Sequence, residues 1–556
     1  PPWTPPGRAA ELEKLSLVFH LPGFGHSLGI QRLEMQGAKL HLIRDSTGHA
    51  NWQTDDPDKG PQSGLPLIRS LSMPHARVDL EDALRHLRFE GTVSAQDSEG
   101  AKGLRPLRIA GEGELNGRAD SFEITSDPLA AASRARPYGF DFTERSSGSV
   151  LTGGGALLHA FDFDAIDAKF EAAGEDLQDL FFLTGVTLVN TGSYRLSGHV
   201  SRRGTHTVFS NLAVTSAQSD VLAKVSLDTS SGRTRFEADF SSRVIRLSDL
   251  GVRAAGREYD PESDKLLLSN AMLSPRAVRR GDWTVRFNAD RVDVGHLSLH
   301  AVSGKMTIER GVLVVAPLSA DVLGGKLGAH LRLDAKTDTP KADVDLKLTD
   351  VQLARLDRKG AGPPPLEGSL QGRVKVTGDG RSIHEIAASA NGQVTAVVAH
   401  GDIRASLAEL TGIDLRAFGL LLSKNERATE LRCLVASFEA HEGTLNTQRL
   451  VVDTDPVLIT GEGRLELDTE SLDFALSGRP KSGRLFRLRT PVVVRGTLAH
   501  PIVGVRARNV VAQTAEAVAL GVVLTPLAAL LAFIDPGLAK NADCDALQEH
   551  ATVAGR

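Results

Sequence analysis

The sequence predicts a mainly β chain built on a long, mostly antiparallel sheet with a few short helices. Apolar and polar residues alternate with period two along most segments, as in strands that bury one face. Several hairpins repeat one design at unequal intervals. Helical periodicity is confined to a few short stretches. A sheet with one apolar and one solvated face is normally antiparallel.

Composition fits this class. Only 5% of the 556 residues are aromatic, so a core must rest mainly on Leu, Val, Ala and Ile. The 64 basic and 69 acidic residues are spread along the chain, which argues against a nucleic-acid footprint. The chain opens on "PPWTPPGRAA" without methionine. A fragment or processed product is therefore expected, with any signal peptide or anchor upstream out of view.

Taken in order, the first clear strand is "AKLHLIRDSTGHANWQ", where Leu40 and Leu42 alternate before a polar turn and Trp52. The glycine cluster of "TGGGALLHAFDFD" (152–164) lacks both the spacing and the βαβ context of a phosphate loop. Asp162, Asp164 and Asp167 read as solvated strand residues rather than a carboxylate pair or calcium site. "GEDLQDLFFLTG" (174–185) predicts a short amphipathic helix.

Three hairpins, 223–242, 329–350 and 463–478, share an alternating strand ending in Leu-Asp, a polar turn and a return strand. Their markers Asp228, Asp334 and Asp468 are unevenly spaced, which excludes a propeller or regular solenoid. One face of the second carries Val344, Leu346 and Leu348, and "GRVKVTG" adds Val374 and Val376. The third presents Leu465 and Leu467, then Leu472, Phe474 and Leu476. "RKGAGPPPLEG" (358–368) predicts a loop or linker, because its prolines cannot join a central ladder. It divides a region 1–357 from a region 369–510. Helical spacing returns in 402–425, and 511–556 contains the uncharged run 517–534. The proline at 526 favours a buried or interfacial helix pair there over a membrane span.

No catalytic signature is present: no zinc-protease helix, no nucleophile elbow, no Walker loop. His296 and His300 lie on an alternating strand, where four residues span ~13 Å, too far for one metal. No catalytic residue, metal or cofactor is expected, and the chain is read as a non-enzyme. Cys433 and Cys544 are the 2 cysteines. In an oxidising compartment a bridge would fasten the C-terminal segment to the sheet, and such a loop is worth up to ~4–5 kcal/mol in the chain-entropy model. Two separate thiols are the alternative.

"LGIQRLEMQGAKLHLIRDSTGHANWQ" (28–53) resembles the hallmark hairpin of the AsmA family of bacterial envelope proteins, which are TamB-related. Arg44, Asp45, Gly48, Asn51 and Trp52 carry the match. Tyr194, Leu196 and Gly198 match a further family segment, as do Ser219 and Asp220, although Gln218 replaces the usual glycine. Stretches 379–403, 431–467 and 490–505 are similar to the family's C-terminal region.

The resemblance implies a curved sheet forming an open hydrophobic trough, similar to bridge-like lipid-transfer proteins. Its partners would be a phospholipid or other acyl-chain lipid, the inner membrane through an anchor upstream of residue 1, and an envelope protein. It implies a periplasmic protein of a Gram-negative bacterium that moves phospholipid between inner and outer membrane. A scaffold or regulator of outer-membrane protein assembly is the alternative. The alternating Val, Leu and Phe positions named above would line the trough. The Arg44–Trp52 motif would close its first end.

Overall fold

The computed structural model describes residues 9–20, 29–45, 49–51, 68–83, 87–97, 106–132, 136–146, 148–160, 162, 164–180, 191–231, 233–250, 268, 275–279, 281–295, 297–356, 364, 366–404, 428–481, 492–505 and 539–554. The 28 described strands belong to one open sheet that is antiparallel almost throughout. The chain divides into two compact units, Pro1–Ala255 with Asp293–Gly295, and Gly256–Val292 with His296–Arg556.

Unit 1 holds β1 (Ala10–Glu11), β2 (Lys14–His20), β3 (Gly29–Gln36), β4 (Lys39–Arg44), β5 (Leu71–Asp82), β6 (Leu87–Asp97), β7 (Leu107–Leu115) and β8 (Arg118–Ser126). It continues with β9 (Tyr138–Ser146), β10 (Ser149–Leu157), β11 (Ala165–Gly174), β12 (Tyr194–Arg203), β13 (His206–Ser216), β14 (Ser219–Asp228) and β15 (Thr234–Arg246). From β5 onward each strand pairs antiparallel with the next. The beginning differs. β1 and β2 run antiparallel to β4 and β3, and this bent hairpin joins the sheet by lying parallel to β5. Gly37, at φ +62°, supplies the bend between β3 and β4.

Unit 2 holds β16 (Gly281–Val294), β17 (Leu297–Glu309), β18 (Val312–Val322), β19 (Gly325–Asp334), β20 (Lys341–Gln352), β21 (Leu366–Asp379) and β22 (Asn391–Arg404). β23 (Ala428–His441), β24 (Thr444–Thr454), β25 (Val457–Glu466), β26 (Ser471–Pro480), β27 (Val492–Thr497) and β28 (Pro501–Val505) follow. β17 to β28 form an antiparallel meander. The described helices are short: α1 (Pro275–Arg279), α2 (Ile383–Ala388) and α3 (Cys544–Ala554). The proline stretch 358–368 joins β20 to β21, which pair directly from Lys341↔Asp379 to Gln352↔Ser369.

Bulges recur in β5, β13, β17 and β20. At each, a residue other than glycine takes left-handed backbone: His75, Asn211, Ala301 and Asp350, with φ of 51°, 53°, 47° and 55°. Such insertions bend a strand and add twist.

Two helix expectations narrow. Of 174–185, the described part is the end of β11 and a single 3-10 turn, Leu177–Leu180. Of 402–425, Asp402–Arg404 belong to β22, whose ladder partners Thr429 and Glu430 outweigh local helix preference. The rest of that stretch, and the run 517–534, lie outside the described residues. Asp162 and Asp164 stand in a turn, with the Asp164 N–H donating to Asp162 Oδ1 at 3.0 Å, and only Asp167 is on a strand. The Leu-Asp hairpins gain a physical reason. Asp228 Oδ1 accepts the Ser230 N–H at 2.9 Å, and Asp334 Oδ1 accepts the Lys336 N–H at 3.3 Å. Each aspartate closes its turn two residues on.

Candidate functional site

Residues directly opposite in neighbouring strands point to the same face of a sheet. In unit 2 the row Leu331, Val344, Val376 crosses β19 to β21, and beside it Ala329, Leu346, Val374, Val394 and Phe438 run from β19 to β23. A third row joins Leu327, Leu348, Gly372, Ala396 and Ala436. Leu465 faces Leu472, while Phe474 and Leu476 face Val494 and Val492.

Two contacts tie these groups together. The rings of Phe438 and Phe474 meet edge to face at 6.0 Å, across β23 to β26. Leu450 and Leu476 lie over Gly461 so closely that a β-carbon there would stand 2.4 and 2.7 Å from them. The predicted residues Val344, Leu346, Leu348, Val374, Val376, Leu465, Leu472, Phe474 and Leu476 thus share one apolar face, each partly exposed. Leu467 sits just past β25, in the turn, its N–H donating to Gly443 O at 2.9 Å.

The opposite face is charged. Arg332 meets Asp343 at 3.6 Å, Arg373 meets Asp345 at 2.7 Å, and Arg495 meets Asp473 at 3.1 Å. At one end this face turns apolar, through Val397 and Val435, and α3 covers it with Leu547. Cys433, two residues before Val435, is bonded to Cys544 at the start of α3, with Cα atoms 6.0 Å apart. Its strand partner Asp453 is fully buried. Lys481 Nζ lies 2.5 Å and Arg432 Nε 3.4 Å from that carboxylate, and the Ala542 N–H donates to it at 3.0 Å. The disulfide therefore anchors the terminal segment behind the apolar face, not across it.

Unit 1 has an apolar face that the alternation of the sequence conceals. Phe122 (β8), Glu144 (β9), Leu151, Ala172, Leu196 and Val214 lie opposite one another in turn. The next row is Ile124, Phe142, Gly153, Phe170, Gly198. Here glycine stands where an aliphatic partner has no room: a β-carbon on Gly153 would stand 2.5 Å from Lys169 O and 2.7 Å from the Phe142 ring, and one on Gly111 2.5 Å from Phe122. The 152–164 glycine cluster is thus strand packing. Phenylalanine opposite glycine was the signal available in the sequence. Leu177 and Leu180 close one end of this face over Leu151 and Tyr194.

The motif residues serve the framework. Asn51 Oδ1 accepts the Ile43 N–H at 3.0 Å and its Nδ2 donates to His41 O at 2.7 Å, so one side chain completes the edge of β4 beyond β1. Asp45 Oδ1 accepts the His49 N–H at 2.9 Å, and Arg44 meets Asp82 at 3.3 Å, both nearly buried. Gly48 and Trp52 lie outside the described residues, as does His296; His300 is exposed on β17. Tyr194 donates to Ser149 at 3.3 Å, and Gly198 leaves room for Leu212 and Phe170. Asp220 accepts from the N–H groups of Arg243 and Val244 at 3.0 and 3.1 Å, fixing β15 against β14. Burial works against its charge, but these bonds and the Arg243 guanidinium hold its carboxyl below the usual range. Among the described residues no group of His, Cys, Asp and Glu is placed to hold a metal, and no helix is long and apolar enough to cross a membrane.

The family model for AsmA matches residues 165–450, from β11 through most of β24. The chain belongs to the AsmA family. AsmA family proteins are bacterial envelope proteins. Among relatives, the chain is 25% identical over 560 residues to the AsmA family protein YhjG of Escherichia coli (strain K12), covering 92% of this chain and 81% of that one. No solved structure matches. The AsmA match spans the face of unit 2 from β19 to β23 and the later strands of unit 1, so both apolar faces fall partly within it.

Proposed function

We propose that this AsmA protein is a non-enzymatic, periplasmic lipid-binding and lipid-transfer protein, held at the inner membrane, that contributes to phospholipid movement toward the outer membrane and to outer-membrane biogenesis. One observation carries the reading. The aliphatic rows of unit 2 remain partly exposed, and α2 meets this face at its end, where Ile386 O would stand 2.3 Å from a β-carbon on Gly378. Such a face is stabilised when apolar surface covers it, at about 0.8 kcal/mol per buried methylene. Acyl chains fit because successive rows offer near-equivalent contacts, so a chain can shift from one to the next without a large change in energy. The headgroup would stay in water. The disulfide supports an oxidising compartment, and the envelope setting of the family agrees with it.

Native mass spectrometry of the purified protein tests this. Phospholipid is expected to co-purify with the wild type and to be lost in Leu346→Asp with Phe474→Asp, with the far-ultraviolet spectrum of the sheet retained. Lipid-free wild type that also fails to take up a fluorescent phospholipid removes the proposal. In that case a protein partner recovered by cross-linking would favour the assembly-scaffold role.

A further inference from the structure

The apolar face of unit 1 contains two acids. Glu144 is the only ionisable residue in the row from Phe122 to Val214. Asp120 lies two residues before Phe122 on β8, hence on the same face, opposite Ser146. Both are more than nine-tenths buried, at 7% and 8% exposure. Asp120 Oδ1 and both carboxyl oxygens of Glu144 make no hydrogen bond of regular geometry, and the nearby Ser146 hydroxyl is the one group that favours the Glu144 charge.

The surroundings offer no buried cation among the described side chains. β7 faces Asp120 and Phe122 with Gly113 and Gly111, and β10 faces Ser146 and Glu144 with Ser149 and Leu151. Beyond them Tyr194 of β12 gives its hydroxyl to Ser149, and the 3-10 turn contributes Leu177 and Leu180. Asp176, before that turn, accepts the Thr191 N–H. Arg118 shares the face by alternation but is exposed at the turn end of β8, while Glu123 and Arg145 alternate to the other side.

Two carboxylates cannot bond each other. A single proton converts their repulsion into an O–H···O hydrogen bond and removes one buried charge. We infer that Asp120 and Glu144 hold one proton between them in folded unit 1, and that its release is a pH switch on the apolar wall they occupy. Burial and, next, the Asp120 carboxyl push Glu144 up to about 8, which agrees with this geometry. Below that pH the wall carries at most one charge at this point. Above it, two like charges face each other where the apolar row of Glu144 borders the row of Asp120, Ser146, Ser149 and Tyr194.

The inference does not require the lipid reading, because its readouts are protonation and stability. A folded-state carboxyl raised above its unfolded value adds stability that is complete at acid pH and is lost as pH climbs to the folded value. Infrared difference spectra of wild type minus Glu144→Gln should show a protonated carboxyl band at pH 7 that disappears above about pH 8. The wild type should also lose thermal stability relative to that variant between the ordinary carboxylate range and about pH 8, and then level off. Absence of the band at pH 7, or a stability gap independent of pH, overturns the inference. Should Glu144→Gln not fold, Asp120→Asn decides it. An amide donor in place of the second acid should lower the pH at which the band disappears by on the order of one unit. An unmoved midpoint rules out a shared proton.

Discussion

The two units use the same alternating strands to build apolar faces of different character. Unit 2 does it with aliphatic rows such as Leu346, Val374 and Val394, and fixes its terminal segment to the back of the sheet through Cys433–Cys544 and Asp453. Unit 1 leans on rings laid over glycines, Phe142 on Gly153 and Phe122 on Gly111, a device that unit 2 repeats with Phe287 on Gly304, and unit 1 alone of the two faces described admits a pair of acids into the wall. A row of aliphatic side chains is tolerant, since a leucine can move into a neighbour's space. A ring over a glycine is not, because no other residue fits beneath it. The rigid pattern accompanies the buried acids, and the tolerant one is the stronger candidate for a changing occupant.

Breaking the staple tests the contrast most severely. Replacing Cys433 and Cys544 together by serine is expected to destabilise unit 2 by up to about 4–5 kcal/mol, the chain-entropy value for a closed loop of this size. Hydrogen exchange should quicken in β22 to β24 and stay unchanged in β8 to β12. Equal effects in both regions would contradict a staple confined to unit 2.

A smaller effect, in the other unit, is expected from Gly153→Val. Its side chain must displace the Phe142 ring and also meets the Lys169 carbonyl oxygen, 2.5 Å from the new β-carbon, and overpacking of this kind costs about 1–3 kcal/mol. Urea unfolding followed by exchange in β9 to β11 measures it. The paired change Gly153→Val with Phe142→Ala should recover part of the loss, and no recovery would mean that the ring is not the obstacle. The smallest change belongs to the outer face. Arg495→Ala removes a pair whose side chains are 58% and 54% exposed, so a loss of no more than about 1 kcal/mol, diminished by salt, is expected.

The difference between the units also explains what was legible in the sequence. The face of unit 2 could be read because Val344 to Leu348 and Leu472 to Leu476 alternate strictly, with charges between. The face of unit 1 could not, because Gly153 and Gly198 carry no hydrophobicity although they hold positions in apolar rows. The Glu144–Asp120 pair was hidden for a related reason: nothing local distinguishes a groove-facing acid from a solvated one until strand partners are known. Asn51 and Asp220 were recognised as motif residues, but their bonds to Ile43, His41, Arg243 and Val244 required the fold. Cys433 and Cys544 remained two alternatives in the sequence because only the packing of α3 brings them together.

The rings over glycines have one more consequence, in how the chain finds its native pairing. A meander of similar alternating hairpins can pair wrongly, since a strand shifted by two residues keeps its apolar side inward. Phe142 admits few such shifts: moved two residues along β10, it would meet Leu151 or Gly155, and Gly155 already holds Ala168 within 2.7 Å of its missing β-carbon. Phenylalanine and glycine act here as tooth and notch, so that neighbouring strands mesh at one setting, and a sheet assembled from interchangeable-looking parts acquires a unique order.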